Sequence, residues 1–575
     1  MQAREYERFV WMLKDNARGM FGNPDIAALC AAYVMLKARE KGLVDVESPK
    51  SFLAECKMKK SISDFICGTI EKNWNVFRSL IASADVDVLK KYVADWKDMS
   101  RFGSGETPRM VLKAVFGLLN LDERDKSFAD FGCGTGGVLI AAHEDAASPT
   151  SVGYELSNDF AAIAEMRLSA LDLLDAVRIE RKNIFSISEK DQKFDKIFCC
   201  PPFGVRYQDE ATRFFVKSLP ALPDLRPSSS TTWLYALRAI ESLKPNGKCA
   251  IIVNEAPLFN QADLAVRKYL VDRNFIEAVV SLPPFLFPQT GTPVSVIVLN
   301  VAKESNKVKM IDASGLGLRG KGRVALRDDD VDMILSCVNG KATKANLPSE
   351  TVENGVIAKE EYMLYPRRYV KFADDVEIKN GKALGDVVSI RRGMSLTSRE
   401  LESLRVDGKS PYHYATQANI KDGVIEGNGE SLREIPKDNR RFCAEDGDLV
   451  LTKVGRPIKC AVVRLDEGEK LLIGANQYII TPNTKKVEPH FLQAFFESGA
   501  GRSALAKISV GVAVPAIALR DLKELVIPVP SMEAQKKVAI AYRAKLDEVA
   551  LLRRKLARAI DGLDRVYDES FGGAS

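Results

Sequence analysis

Two short segments of this sequence hold residues whose types and spacing suit chemistry. The first is the run Asp130-Phe-Gly-Cys-Gly-Thr-Gly-Gly, which continues the apolar stretch SFADF and opens the helical stretch VLIAAHEDA. Glycines at 132, 134, 136 and 137 let the chain turn sharply and bring its backbone close to a ligand. The helix that follows points free N–H groups and a positive dipole end at the same place, which favours a carboxylate or phosphate. The next apolar run, SVGYEL, ends at Glu155, where a carboxylate can accept from both hydroxyls of a ribose. A glycine-rich strand-to-helix turn alone suits a dinucleotide and S-adenosylmethionine equally. Here an acid, Asp130, also stands before the glycines.

The second segment is KIFCCPPFG, Lys196 to Gly204. Two prolines after a strand cannot extend a sheet and donate no N–H, so Pro201 and Pro202 stiffen a loop at the carboxyl edge of the sheet. Phe203 offers a flat stacking surface there. An enzyme working on a base of a duplex must extrude that base, and an aromatic face is one way to hold it. Cys199 and Cys200 as nucleophiles are a weaker reading, because the order is Cys-Pro-Pro rather than Pro-Cys. A nuclease reading of Glu55 and Lys57 as half of an ExK signature is weaker still, since SFLAECKMKK has no strand pattern.

The elements that position these segments follow from periodicity. Between Phe128 and Ala302, strand-like runs (SFADF, SVGYEL, KIFCC, KCAIIVN, EAVVSLP, VSVIVLNVA) alternate with helical stretches, which predicts an α/β parallel sheet with helices on both faces. Residues 1–100 read as a helical domain, 101–302 as the sheet domain, and 303–375 as an irregular connector completing it. Residues 376–530 change to short strands between glycine-rich turns, an α+β domain. The span 531–575 is a long helix with an apolar stripe from Val538 through Leu546, Leu552, Leu556 and Leu563 to Tyr567.

The 575 residues are 46% hydrophobic and 28% charged, an ordinary globular balance for several domains. The ten cysteines show no CxxC pair and there are three histidines, which argues against a disulfide framework or a metal site and fits a reducing cytoplasmic setting. No apolar run is long enough for a membrane span, and MQAREYERFV lacks a signal-peptide layout. The net charge is +6; residues 376–575 hold 32 Lys+Arg against 27 Asp+Glu, so most of the excess lies there and leans towards an anionic partner.

Taken together, Asp130-x-x-Cys-Gly-Thr-Gly-Gly and Glu155 resemble motifs I and II of S-adenosylmethionine-dependent methyltransferases. GSGETPRMV, Gly103 to Val111, resembles the Thr-Pro-Arg segment that precedes motif I in adenine-N6 DNA methyltransferases. The resemblance implies a Rossmann-like fold and a cofactor pocket formed by Thr107, Pro108, Asp130, Gly132, Gly134, Thr135, Gly136, Glu155 and Asn183. Asn183, in RKNIF, stands where an aspartate usually meets the cofactor adenine. KIFCCPPFG is similar to motif IV, whose first residue and adjacent proline carbonyl accept from the target amine; the catalytic set is then Cys200, Pro201, Pro202 and Phe203. Cys200 replaces the usual Asn or Asp, and a thiol is a weak acceptor. Slowed transfer is expected, with Cys200→Asn raising it by one to two orders of magnitude.

Residues 5–370, through LKPNGKCAIIVNEAPLF, SLPPFLFPQTGTPVSVIVLN and EEYMLYPRRYV, resemble modification subunits of type I restriction–modification systems. Residues 384–550 resemble one half of a type I specificity subunit, on LGDVVSIRRGMSLTS, GDLVLTKVGRPIKCAVV and IPVPSMEAQKKVA. The combination implies a methyltransferase fused to a single target-recognition domain and its spacer helix. It also implies double-stranded DNA as substrate, a homodimer through the long helix, and a separate subunit for any cleavage or translocation. A catalytically silent module that marks or senses sites for partners is the alternative. Arg391, Arg392, Lys453 and Arg456 are basic residues near turns of the recognition segment.

Overall fold

The computed structural model describes residues 3–571 apart from 18–23, 57–58, 95–105, 147–149, 189–191, 206–208, 220–230, 288–289, 321, 341–346, 373–377, 379–380, 427–428, 456 and 512–514. The chain divides into two units, residues 1–370 and 371–575.

In the first unit, helices α1 (Ala3–Ala17), α2 (Pro24–Glu40), α3 (Pro49–Glu55), α4 (Lys60–Ile70), α5 (Trp74–Ile81) and α6 (Val86–Ala94) come first. Helix α2 is buried almost all round, from Ala27 to Leu36, as its apolar run requires. The next helix, α7 (Arg109–Leu119), starts directly after Pro108 and ends at Asn120, which adopts a left-handed φ of 52° as a terminating residue.

The sheet region then alternates as β1 (Phe128–Phe131), α8 (Gly137–Ala146), β2 (Ser151–Tyr154), α9 (Asn158–Ala170), β3 (Val177–Glu180), β4 (Phe194–Cys199), α10 (Glu210–Lys217), α11 (Thr231–Ser242), β5 (Leu243–Asn254), α12 (Leu264–Asp272), β6 (Ile276–Ser281), β7 (Val294–Asn300) and β8 (Lys307–Asp312). A hairpin of β9 (Leu318–Gly320) and β10 (Arg323–Ala325) follows, then α13 (Asp328–Val338), β11 (Ser349–Glu353) and α14 (Asn354–Lys359). Among the described residues the sheet has nine strands in the order β11-β8-β6-β7-β5-β4-β1-β2-β3. Ile163, Met166 and Ala170 of α9 share one core with the N-terminal helices.

Two sequence expectations need correction. The sheet is mixed, not parallel throughout: β7 runs antiparallel to β5 and β6, and β11 antiparallel to β8. A parallel return needs a crossover of a dozen or more residues, usually a helix, and the described residues of the proline-broken link 282–293 supply none. Residues 303–370 are also not irregular, since β8 and β11 extend the sheet and α13 packs on α7. What positions the site is that β1, β2, β4 and β5 are mutually parallel and end along one edge.

The second unit holds two four-stranded sheets. One is built from 388–392, 477–482, 449–452 and 460–462, the other from 430–432, 412–415, 470–473 and 443–444. The C-terminal helix, Met532–Phe571, buries Gln535 and Ala539 near its start, where it packs on the helix Pro489–Glu497. No helix among the described residues is long and apolar enough to cross a membrane.

Candidate active site

Asp130 lies in the middle of the sheet, level with Gly153 of β2 and Phe198 of β4. Its carboxylate is buried, and neither oxygen has a hydrogen-bond partner among the described residues. Burial, followed by the charge of Glu155, holds this carboxyl well above the usual carboxylate range. A buried acid with two unmatched oxygens is costly to the fold, and a donor from a ligand relieves the cost. The glycine turn beside it is aimed by β2: the N–H groups of Gly132 and Cys133 both donate to the Tyr154 carbonyl, at 2.9 and 3.0 Å.

Glu155 is fixed on the same turn. Its Oε2 accepts from the Gly134 N–H at 2.9 Å and its Oε1 from the Ser157 N–H at 2.7 Å. Gly134 has φ +54°, and a Cβ there would meet nothing within 4 Å, so open space lies before the turn. At Gly136, φ +84°, a Cβ would press on Ala164 at 3.2 Å, which ties the turn to α9. The site thus offers two carboxylates and turning backbone, an acceptor set that fits a ligand carrying an ammonium and ribose hydroxyls.

A network that sequence reasoning missed joins the Thr107–Pro108 segment to this turn. Arg167 of α9, essentially buried, ion-pairs with Glu106 and donates to the Thr135 carbonyl at 2.8 Å and to Thr135 Oγ1 at 3.1 Å. It also donates to the carbonyls of Val93 and Ala94, at 3.1 and 2.7 Å. Thr135 Oγ1 in turn donates to Glu106 at 3.0 Å. The signal was a lone arginine inside the apolar helix DFAAIAEMRLSALDLL. Gly103 to Gly105 lie outside the described residues, as does Lys57 of the ExK pair; Glu55 ends a helix.

The Cys200-Pro-Pro-Phe loop leaves β4 next to β1, since Phe131 is level with Cys199. Pro201 is buried and Pro202 exposed; Phe203 is half-buried and meets Phe287 edge-on, ring centroids 5.9 Å apart. Burial pushes the Cys200 thiol up to about 12, against a lowering hydrogen bond with Thr107, and the Asp130 charge adds to the rise. Thr107, Asp130 and Cys200 are therefore neighbours, and a thiol so raised stays protonated at neutral pH, which removes it as a nucleophile. Asn183 is engaged locally. Its Oδ1 accepts from the Phe185 N–H at 3.0 Å, and its Nδ2 donates to Asp209 at 3.4 Å.

A second Pro-Pro-Phe, residues 283–285, follows β6 on the same edge and was not singled out from sequence, although the repeat is visible there. Phe285 is 47% exposed at φ 64°. A Cβ at Gly291 would collide with its ring. Bulky residues rarely hold a left-handed backbone, and such strain gathers at functional sites. In the second unit, Arg391 is occupied structurally: it pairs with Asp448 at 3.2 Å and donates to the carbonyls of Arg441 and Cys443. Arg456 lies outside the described residues. Among the described residues no cluster of three or more His, Cys, Asp or Glu is placed to hold a metal ion.

Residues 88–377 match the family model described as N-6 DNA Methylase, half of the chain. The chain belongs to this family. Residues 377–557 match a second model, the type I restriction modification DNA specificity domain, so both modules occur in one polypeptide. Among curated relatives, the type I restriction enzyme MpnII methylase subunit of Mycoplasma pneumoniae is 23% identical over 304 residues, 48% of this chain and 55% of that one. The HindI methylase subunit of Haemophilus influenzae is 24% identical over 337 residues, 53% of this chain and 74% of that one. The chain thus spans about half the length of the first of these relatives.

Among solved structures, a type I methyltransferase subunit from Streptococcus thermophilus superposes with a TM-score of 0.51 at 19% identity, covering 64% of this chain and all of that one. The type IIG restriction endonuclease BpuSI gives 0.50 at 11% identity, covering 94% and 75%. Both likenesses concern the fold.

Proposed function

We propose that the chain is a sequence-specific DNA methyltransferase that moves a methyl group from S-adenosylmethionine to adenine N6 in duplex DNA, within a restriction–modification or related defence system. The observation that carries this reading is the junction at the sheet edge. The unmatched Asp130 carboxylate stands one strand away from the Cys200-Pro-Pro-Phe loop and the anchored Glu155 two strands away, with Thr107 bridging to Cys200. S-adenosylmethionine, when bound, supplies a methyl group on a positively charged sulfur. Asp130 suits its ammonium and Glu155 its ribose hydroxyls.

On this reading Phe203 stacks against the extruded adenine, and the strained, exposed Phe285 closes over it from the second Pro-Pro-Phe loop. The specificity module selects the DNA sequence. From the apolar stripe of the C-terminal helix we infer a homodimer that presents two modules to a two-part site, with separate subunits for any cleavage. The thiol at position 200 favours a second reading, a module that binds cofactor and DNA without efficient transfer.

Modification-sensitive sequencing of DNA from cells expressing the protein tests the proposal. Methyl-adenine is expected at one recurring sequence. Phe203→Ala should lower its occupancy by roughly 5- to 150-fold under limiting expression, because base–aromatic stacking contributes about 1–3 kcal/mol per base. Absence of any modified adenine with the wild-type protein would favour the silent module.

A further inference from the structure

A buried acceptor without a donor among the described residues stands one strand away from Cys200. Asn254 closes β5, and its Oδ1 is buried with no hydrogen-bond partner among the described residues. Native folds keep few such atoms, and each calls for an explanation. The register fixes where this one lies. Strands β4 and β5 run parallel with Phe198 level with Ala250 and Cys199 level with Ile251. Asn254 is level with Val294 of β7. Phe198, Ala250, Ile252 and Val294 belong to a single apolar core, against which Cys200 and Phe203 also pack. Strand alternation therefore puts the side chains of Cys200 and Asn254 on the same face. Asn254 stands there at the carboxyl end of its strand, where the Cys200-Pro-Pro-Phe loop leaves the neighbouring one.

The two residues have complementary defects. Cys200 occupies the acceptor position of the loop but carries a protonated thiol, a weak acceptor. Asn254 carries a strong carbonyl acceptor that no described residue uses. We propose that Asn254 Oδ1 accepts the hydrogen bond from the exocyclic amine of the target adenine that Cys200 cannot. The inference rests on the adenine-N6 reading above. In the transfer, the N6 lone pair forms the N–CH₃ bond while the C–S bond breaks and its electron pair stays on sulfur, leaving a neutral thioether. One N6 proton then passes to solvent and restores a neutral amine. An acceptor on that amine holds its lone pair in line with the methyl carbon. Asn254 as a whole is only half-buried, and the broad two-fold torsion of an amide lets Oδ1 turn to the open side without moving the strand.

The test is methyl transfer from radiolabelled S-adenosylmethionine to genomic DNA of a methylation-deficient host, under single turnover with the full-length protein. Asn254→Leu, similar in size but without an acceptor, is expected to lose at least tenfold in rate with cofactor affinity changed less than twofold. Cys200→Asn placed in that background should restore the rate to within about threefold of wild type, a rescue that a structural role does not give. If Asn254→Leu fails to fold, Asn254→Asp carries the test: its rate should fall as pH drops through the titration of the new carboxyl, an inflection absent from wild type. An unchanged rate in folded Asn254→Leu, failure of Cys200→Asn to rescue it, or no inflection in Asn254→Asp overturns the role of Asn254 alone. A wild type that transfers no methyl group overturns the adenine-N6 reading and this inference with it.

Discussion

Asp130→Asn is expected to weaken S-adenosylmethionine binding by on the order of 10- to 100-fold while making the ligand-free protein more resistant to heat. The affinity loss follows from losing a hydrogen bond to a charged partner, about 1.5–3 kcal/mol. Glu155→Ala should cost as much, since it also releases the Gly134 and Ser157 N–H groups. The gain in stability follows from the carboxyl itself, which is raised well above its ordinary value by burial and by Glu155. For an acid raised in the folded state, the stabilising contribution is complete below its unfolded value of about 3.9 and is lost as pH rises towards the folded value. The melting-temperature difference between Asp130→Asn and wild type should therefore widen as pH rises above about 4 and level off beyond the folded value.

The same argument predicts proton release. If a cofactor ammonium pairs with Asp130, binding ionises the carboxyl, and the calorimetric enthalpy varies with the ionisation enthalpy of the buffer. That dependence should vanish in Asp130→Asn. A variant that binds as tightly as wild type would remove Asp130 from the pocket. No binding by the wild type would sink the methyltransferase reading of residues 103–204.

Both chemical segments were legible because they are local. A glycine turn between an apolar strand and a helix, and a proline pair after a strand, write their geometry into consecutive residues. The features that bring them together are not local. Arg167 reaches Glu106 and Thr135 across dozens of residues, and nothing near it in sequence names those partners. Asn254 reads as the polar end of an apolar strand; only the register with β4 and β7 makes it a neighbour of the loop. Strand β3 is four residues, VRIE, half of them charged, at the edge of the sheet, and β8 and β11 are similarly short and charged. Such strands owe their state to pairing, not to intrinsic preference. The reversal of β7 was readable in principle, since residues 282–293 hold prolines where a crossover helix would have to be.

If the chain pairs through its C-terminal helix as proposed, replacing Leu556 and Leu563 together by glutamate should convert dimer to monomer at micromolar concentration, with the recognition module still folded. The C-terminal helix has two parts. Its first turns belong to their own unit: the Glu488 N–H donates to Gln535 Oε1 at 2.9 Å, Gln535 Nε2 donates to the Lys486 and Pro530 carbonyls, and Ala539 is buried. Farther along, Arg553 pairs with Asp422 and Glu426. On the same helix Val549, Leu552, Leu556, Ile560 and Leu563 are 40–73% exposed, at steps of three and four residues. That is the spacing of a helix seam, and an apolar stripe of this length marks an interaction surface. In a symmetric pair the two substitutions reach four leucines, each worth roughly 1.5–3 kcal/mol when buried, so dimerisation should weaken by more than about 10⁴-fold. Removing the whole helix from Met532 is the poorer experiment, because it strips Gln535 and Ala539 from the core they complete. Monomers would each read half a site. Since each base pair read contributes about 1–3 kcal/mol, most discrimination between sites should vanish along with the dimer. Light scattering that reports an unchanged dimer for Leu556→Glu/Leu563→Glu would rule out pairing through this stripe. A monomer that keeps full site preference would instead detach recognition from pairing.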